Sequence, residues 1–171
     1  MTENRSALSV DVVRAAPNEL HAVCSILQEA VEWLTGRGET LWEPTAIMPE
    51  AMLPAMTRQE LYLVKHEDVP VGTVILQWED RKFWPEAVPG EGAYLHKLAV
   101  RRSVAGQGVS QAIIAWATHM AAANGKRFLR LDCAPRPKLQ AFYEGQGFKF
   151  HSNWRVGHLA VARYEINLEE N

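Results

Sequence analysis

The sequence predicts an α/β domain with a mixed, mostly antiparallel sheet flanked by helices, in the order β-α-α-β-β-β-α-β-α-β-β. Three observations carry that prediction. Valine-rich or alternating runs bounded by turn residues recur along the chain, as in "LSVDVVRAA" and "PVGTVILQWED". Apolar residues at helical spacing fill two longer segments, one near the start and one past the middle. Antiparallel hairpins surround one β-α-β crossover, which begins at "VRRSVAGQGVSQ" (Val100–Gln111). A doubly wound parallel sheet would need such crossovers throughout.

Taken in order, Leu8–Ala16 reads as the first strand. Pro17 and Asn18 open a helix whose Leu20, Val23, Cys24, Leu27, Val31 and Leu34 share one face, and Gly36 and Gly38 close it. "TAIMPEAMLPAM" is expected to form short helical turns broken by Pro49 and Pro54. "ELYLVKHED" and "PVGTVILQWED" form a hairpin turning around Asp68 to Pro70. "RKFWPEAVPGEG" is a loop, and "AYLHKLAV" the next strand. A helix from about Val109 to Asn124 follows, with Val109, Ala112, Ile113, Trp116, Ala117 and Met120 on its apolar face and Gly125 as its stop. "KRFLRLDCA" is a strand, "PKLQAFYEGQG" a helix entered at Pro137, and "FKFHSNWRV" with "HLAVARYEINL" a closing strand pair.

The 171 residues fit one domain spanning 1–171, long enough to bury a core without metal or disulfide staples. A net charge of −2 offers no global basic field, so nucleic acid is not an expected partner. Cys24 and Cys133 form no metal-ligand spacing, and two lone thiols suit a reducing cytoplasm. "MTENRSALSV" lacks the basic and apolar regions of a signal peptide, and no apolar run matches a membrane span. A cytoplasmic protein without membrane contact is expected, with a homodimer left open.

The turn inside "VRRSVAGQGVSQ" bares backbone N–H groups at the positive end of a helix, an arrangement that suits a phosphate or pyrophosphate. A P-loop would need a lysine after Gly108, and a dinucleotide fingerprint would need glycine where Gln111 stands. The stretch "LHKLAVRRSVAGQGVSQAII" instead resembles the acyl-CoA-binding segment of the GNAT acetyltransferase superfamily, where a strand ending in Ala-Val leads to [QR]-x-x-G-x-[GA]. Ala105 and Ser110 depart from that pattern. "LRLDCAPRPKLQAFYEGQGFKF" resembles the family's later strand–helix segment, with Leu139, Phe142, Tyr143, Gly147 and Phe148 in the matching places. Arg136 stands where asparagine is common.

The resemblance implies a GNAT-like fold and direct acetyl transfer from acetyl-CoA, as cosubstrate, to a primary amine of a small molecule, peptide or protein. It implies no metal. Backbone amides from Ala105, Gly106, Gln107, Gly108, Val109 and Ser110 would hold the pyrophosphate. The pantetheine arm would pair along Leu98, Ala99 and Val100, with Arg136 at the remaining contact. Tyr143 matches the family's general acid, a phenol able to protonate a departing thiolate. A non-catalytic acyl-CoA sensor of the same fold is the competing reading.

For the base, alternation along "GAYLHKLAV" puts Tyr94, His96, Leu98 and Val100 on one face, and His96 is the one ready base there. Glu91, Glu79 and Asp132 are weaker candidates, and a histidine bonded on a sheet face is an equally ordinary role. Loop residues Trp33, Trp42, Glu43, Trp78, Glu79, Asp80, Phe83 and Trp84 form an aromatic and acidic set that would suit a cationic amine.

Overall fold

A computed structural model describes residues 7–170 and shows the expected order of elements. The strands are β1 (Asp11–Arg14), β2 (Leu61–His66), β3 (Val69–Gln77), β4 (Gly92–Val100), β5 (Phe128–Cys133), β6 (Lys149–Val156) and β7 (Leu159–Asn167). The helices are α1 (Leu20–Thr35), α2 (Pro49–Thr57), α3 (Val109–Ala123) and α4 (Pro137–Gly145). The strands make one seven-stranded sheet in the order β1-β2-β3-β4-β5-β7-β6. The chain divides into two compact units, one holding the described residues up to Ile75 with Lys97–Ile113, the other Leu76–His96 with the residues from Ile114 onward.

In the first unit β1 runs antiparallel to β2, with Asp11 opposite Lys65, and β2 antiparallel to β3. Glu67 and Asp68 both have positive φ, the backbone that a two-residue hairpin turn requires. Pro70 therefore falls inside β3, opposite Lys65, rather than in the turn. The core gathers Val23, Ile26 and Leu27 of α1, Met52 and Ala55 of α2, and Leu61, Leu63 and Ile75 of the strands. The 23, 26, 27 spacing is one face of a helix, and each such large apolar side chain contributes about 1.5–3 kcal/mol on burial. The break expected at Pro49 is present: a 3-10 turn over Pro44–Ile47 ends before it, and Pro49 starts α2, where its missing N–H costs no helical bond. The break expected at Pro54 is corrected, because Pro54 lies within α2. One lost backbone bond at Pro54 is offset by burial of Met52 and Ala55 on either side.

In the second unit β4 and β5 are parallel, paired over Gly92–Leu95 and Phe128–Leu131. β7 lies antiparallel to both β5 and β6, so the last strand in sequence enters the sheet before the one preceding it. Leu129, Leu131, Tyr164 and Ile166 are buried at these central positions.

Two local features adjust the sequence expectation. Along α3 the fully buried stripe is Val109, Ile113, Ala117 and Ala121, while Ala112, Trp116 and Met120 form its half-buried margin. In β4, Lys97 has φ of 51°, a left-handed conformation inside a strand. The alternation assumed through Tyr94, His96, Leu98 and Val100 is thus interrupted after His96. Leu98, Ala99 and Val100 also lie beyond the β4–β5 ladder, which ends at Leu95. No helix among the described residues is long and apolar enough to cross a membrane.

Candidate active site

The glycine turn belongs to the first unit. Gly106 and Gly108 have φ of 75° and 79°, in the region where a side chain is strained. A 3-10 turn over Arg102–Val104 precedes them, and α3 begins at Val109. The amides of Ala105 and Gln107 donate to the carbonyls of Arg102 and Val104, both at 3.2 Å. Those of Gly106, Gly108, Val109 and Ser110 meet no acceptor among the described residues. The set of amides able to hold an anion therefore narrows from six to these four. They sit at the N-terminus of a 15-residue helix, where the dipole adds to their attraction for negative charge. Leu8 donates its N–H to the Gln107 carbonyl at 2.9 Å, so the segment before β1 braces the turn.

The neighbouring arginines differ in their freedom. Arg101 reaches Ser25 at 3.2 Å and Glu29 at 3.7 Å. Arg102 stacks its guanidinium 3.9 Å over the Trp33 ring, and its backbone N–H donates to Glu29. Arg102 is the exposed charge at this corner.

The titratable cluster belongs to the second unit. His96 on β4 has a carboxylate on each side. Asp80 Oδ2 lies 2.9 Å from Nε2, and Asp132 Oδ1 on β5 lies 3.6 Å from Nδ1. The Asp80 contact is short, but its geometry lies off that of an aligned hydrogen bond. The two carboxylates address opposite edges of the ring. Asp80, His96 and Asp132 each offer an atom within 4.8 Å of the others.

Asp80 comes from the loop after β3, where it closes a small turn of its own. Its Oδ1 accepts from the N–H groups of Lys82 and Phe83 at 3.1 and 2.9 Å, and its carbonyl accepts from Trp84 N–H at 3.0 Å. Burial alone would raise the Asp80 carboxyl, but His96 and those two amides together hold it below the ordinary carboxylate value. On acidification the unfolded chain then takes up this proton first. The stability Asp80 contributes is complete above the unfolded value and is lost as pH falls through the folded one. The melting-temperature difference between wild type and Asp80→Asn should narrow steadily below about pH 5. A difference that stays constant down to about pH 3 would mean Asp80 is not held as a carboxylate.

Tyr143 lies on α4, its ring edge-on to Phe142 at 5.2 Å and to Phe148 at 5.8 Å. Burial of its hydroxyl, then the nearby Cys133 and Asp132, push its pKa well above the usual phenol range. Tyr143 is therefore a neutral donor at every physiological pH. The Cys133 thiol is pushed up to about 12, mainly by burial and then by Asp132, so it carries no thiolate with which to attack a thioester. Arg136, the residue before α4, brings its charge near Cys133 and donates its backbone N–H to Ala134.

The weaker base candidates have other engagements. Glu91 holds Arg130 at 2.7 Å, and Glu79 is an exposed partner of Arg81. Asp80, missed as a partner of His96, had been grouped with the loop aromatics. Its carboxylate closes an Asx turn onto the N–H of Lys82, two residues on, but nothing in sequence names the histidine it meets. The aromatic faces of that loop set carry cations of this chain: Lys97 over Trp42, Lys126 over Trp78, Lys82 over Phe83, and Arg102 over Trp33. Further along the second unit, Pro135, Asn153, Trp154, Arg155, Ala160 and Val161 line an open, largely apolar cavity of about 620 Å³.

A mixed sheet of this order, with an anion-ready glycine turn at the head of α3, defines an acetyltransferase. The chain belongs to the Acetyltransferase (GNAT) family, whose model matches residues 25–148. It is 28% identical over 144 residues to YesJ, an uncharacterized N-acetyltransferase of Bacillus subtilis (strain 168), covering 80% of this chain and 79% of that one. Its fold matches a GNAT-family acetyltransferase of Listeria monocytogenes 4b F2365 with a TM-score of 0.79 at 23% identity, over 95% of this chain and 98% of the other. It also matches the PaiA N-acetyltransferase of Thermoplasma acidophilum in complex with coenzyme A, with a TM-score of 0.73 at 13% identity, over 94% and 99%.

Proposed function

We propose that this protein transfers the acetyl group of acetyl-CoA directly to a primary amine of a small molecule or peptide, with His96 as the base. The observation that carries the reading is the imidazole of His96 set between Asp80 and Asp132. An amine must lose a proton to become an acylated amide, and a neutral imidazole is the side chain suited to take it near pH 7. The nearer carboxylate, Asp80, favours the N–H on Nε2 and leaves the lone pair on Nδ1, a tautomer inferred from the distances. A proton arriving on Nδ1 then comes to rest 3.6 Å from Asp132. Both carboxylates stabilise the imidazolium, the second by charge and the first also by orienting the ring.

The amides of Gly106, Gly108, Val109 and Ser110 would hold the pyrophosphate, and the backbone of Leu98, Ala99 and Val100, beyond the end of the β4–β5 ladder, the pantetheine amides. Those contacts use the main chain, which makes alanine at 105 and serine at 110 compatible with binding. Acetyl-CoA supplies an activated thioester carbonyl. As the new C–N bond forms and the C–S bond breaks, Tyr143 donates a hydrogen bond to the sulfur. Its raised pKa keeps the phenol protonated, so it stabilises the developing thiolate, which takes its proton from the imidazolium or solvent. Direct transfer suits the protonated Cys133, which is no nucleophile.

The test is release of free thiol from acetyl-CoA, followed with a panel of arylalkylamines, diamines, an aminoglycoside and a peptide with a free N-terminus. Acceptor-dependent release supports the enzyme; acetyl-CoA binding with no release from any amine would mark a sensor. Tyr143→Phe is expected to lower kcat at least about tenfold with acetyl-CoA affinity unchanged. Unaltered turnover would leave Tyr143 as a packing residue.

A further inference from the structure

The loop carrying Asp80 has no secondary structure to fix it, yet Asp80 approaches His96 to 2.9 Å. What fixes the loop is Trp84, which is 2% exposed. Two guanidinium groups stack on its ring, Arg130 of β5 at 4.9 Å and Arg163 of β7 at 4.6 Å, and the His151 ring meets it edge-on at 4.9 Å. Each arginine is itself immobilised. Arg130 donates to Glu165 at 2.9 Å and to Glu91 at 2.7 Å. Arg163 donates to Ser152 at 2.8 and 2.9 Å, pairs with Glu86 at 2.7 Å, and reaches back to the carbonyl of Phe83 at 2.8 Å. The indole N–H of Trp84 finds no acceptor among the described residues, so the ring is held by stacking rather than by a hydrogen bond. Stacking of cations on a buried indole supplies that hold.

We infer that Trp84, held by the stacked guanidinium groups of Arg130 and Arg163, is the positioning residue that sets Asp80 against His96. The backbone N–H of Trp84 donates to the Asp80 carbonyl, so the stacked ring and the carboxylate are two ends of one short turn. The arginines also settle a question of charge. Two cations stacked on one ring would repel, but Glu165, Glu91 and Glu86 compensate them, and their guanidinium groups remain directed at Trp84 and the loop. Trp84 is thereby engaged in preorganising the base. Buried at 2% exposure and already stacked by the chain's own cations, it is not accessible to a cationic acceptor.

This inference rests on His96 acting as the base, and the test separates the two. The tautomer balance of His96, read from its imidazole nitrogens by NMR on uniformly nitrogen-15-labelled full-length protein, needs no acceptor. Trp84→Leu and Asp80→Ala are expected to change that balance in the same way, and the double variant to match Asp80→Ala alone. In turnover with the panel amine that releases thiol fastest, each single variant is expected to lose at least tenfold in kcat. The double variant should then lose no more than Asp80→Ala alone, because both act through one contact. A Trp84→Leu protein with the wild-type nitrogen spectrum, or losses that multiply in the double variant, would overturn the inference. If Trp84→Leu does not fold, Trp84→Phe replaces it, with a loss of a few-fold that Asp80→Ala again absorbs. Full activity in His96→Gln would defeat the base assignment, while the nitrogen spectra would still decide whether Trp84 positions Asp80.

Discussion

Replacing His96 by Gln should lower kcat about a hundredfold or more near pH 7, within the range observed for loss of a positioned base. Glutamine keeps much of the volume and a hydrogen-bonding end, so the change removes the proton-accepting nitrogen more than the packing. Acetyl-CoA affinity should not change, because the amides proposed to bind it lie in the turn before α3. The deficit should also depend on pH. As pH rises toward the acceptor's own pKa, a growing share of the amine arrives unprotonated, and the variant should recover part of the lost rate. A loss below threefold, or one equally large at every pH, would mean that His96 holds the sheet face and another group takes the proton.

The second large effect is expected at the glycine turn. Gly108→Trp should weaken acetyl-CoA binding roughly a hundredfold by calorimetry, since two charge-assisted hydrogen bonds at about 1.5 kcal/mol each would be lost. Two causes act together. The φ of 79° strains any L-residue, and a Cβ there would stand 3.1 Å from the Cβ of Ala7. Gly106 supplies the internal comparison. Its φ is nearly the same, but no atom lies within 4 Å of an added Cβ, so Gly106→Ala carries the backbone strain alone. Its effect should be milder, about 1 kcal/mol or a few-fold in affinity. Undiminished binding by Gly108→Trp would put the ligand elsewhere on the molecule.

The extent of what could be read in advance follows from the range of each interaction. α1 and α3 were legible because their apolar period is local, and the glycine turn because two glycines close to a helix start mark positive φ. Tyr143 was legible through the resemblance of its segment to a family pattern. The kink at Lys97 was not, because a left-handed lysine carries no local signature and alternation reads straight through it. Pro54 misled for a similar reason: its local penalty was visible, and the burial of Met52 and Ala55 that offsets it was not.

The sequence by itself determined the order of the elements, the class of ligand that the turn before α3 suits, and the histidine on β4 as a candidate base. The tertiary structure decided which groups surround that histidine. Asp80 arrives from a loop and Asp132 from β5, and β7, inserted between β5 and β6, brings Arg163 to the ring that holds the loop. The physical reason is that a carboxylate, an indole or a guanidinium has many possible partners of equal chemistry along the chain. Only strand pairing and close packing select one of them, and they bury Trp84, one of the loop aromatics, and bond its backbone N–H to the Asp80 carbonyl.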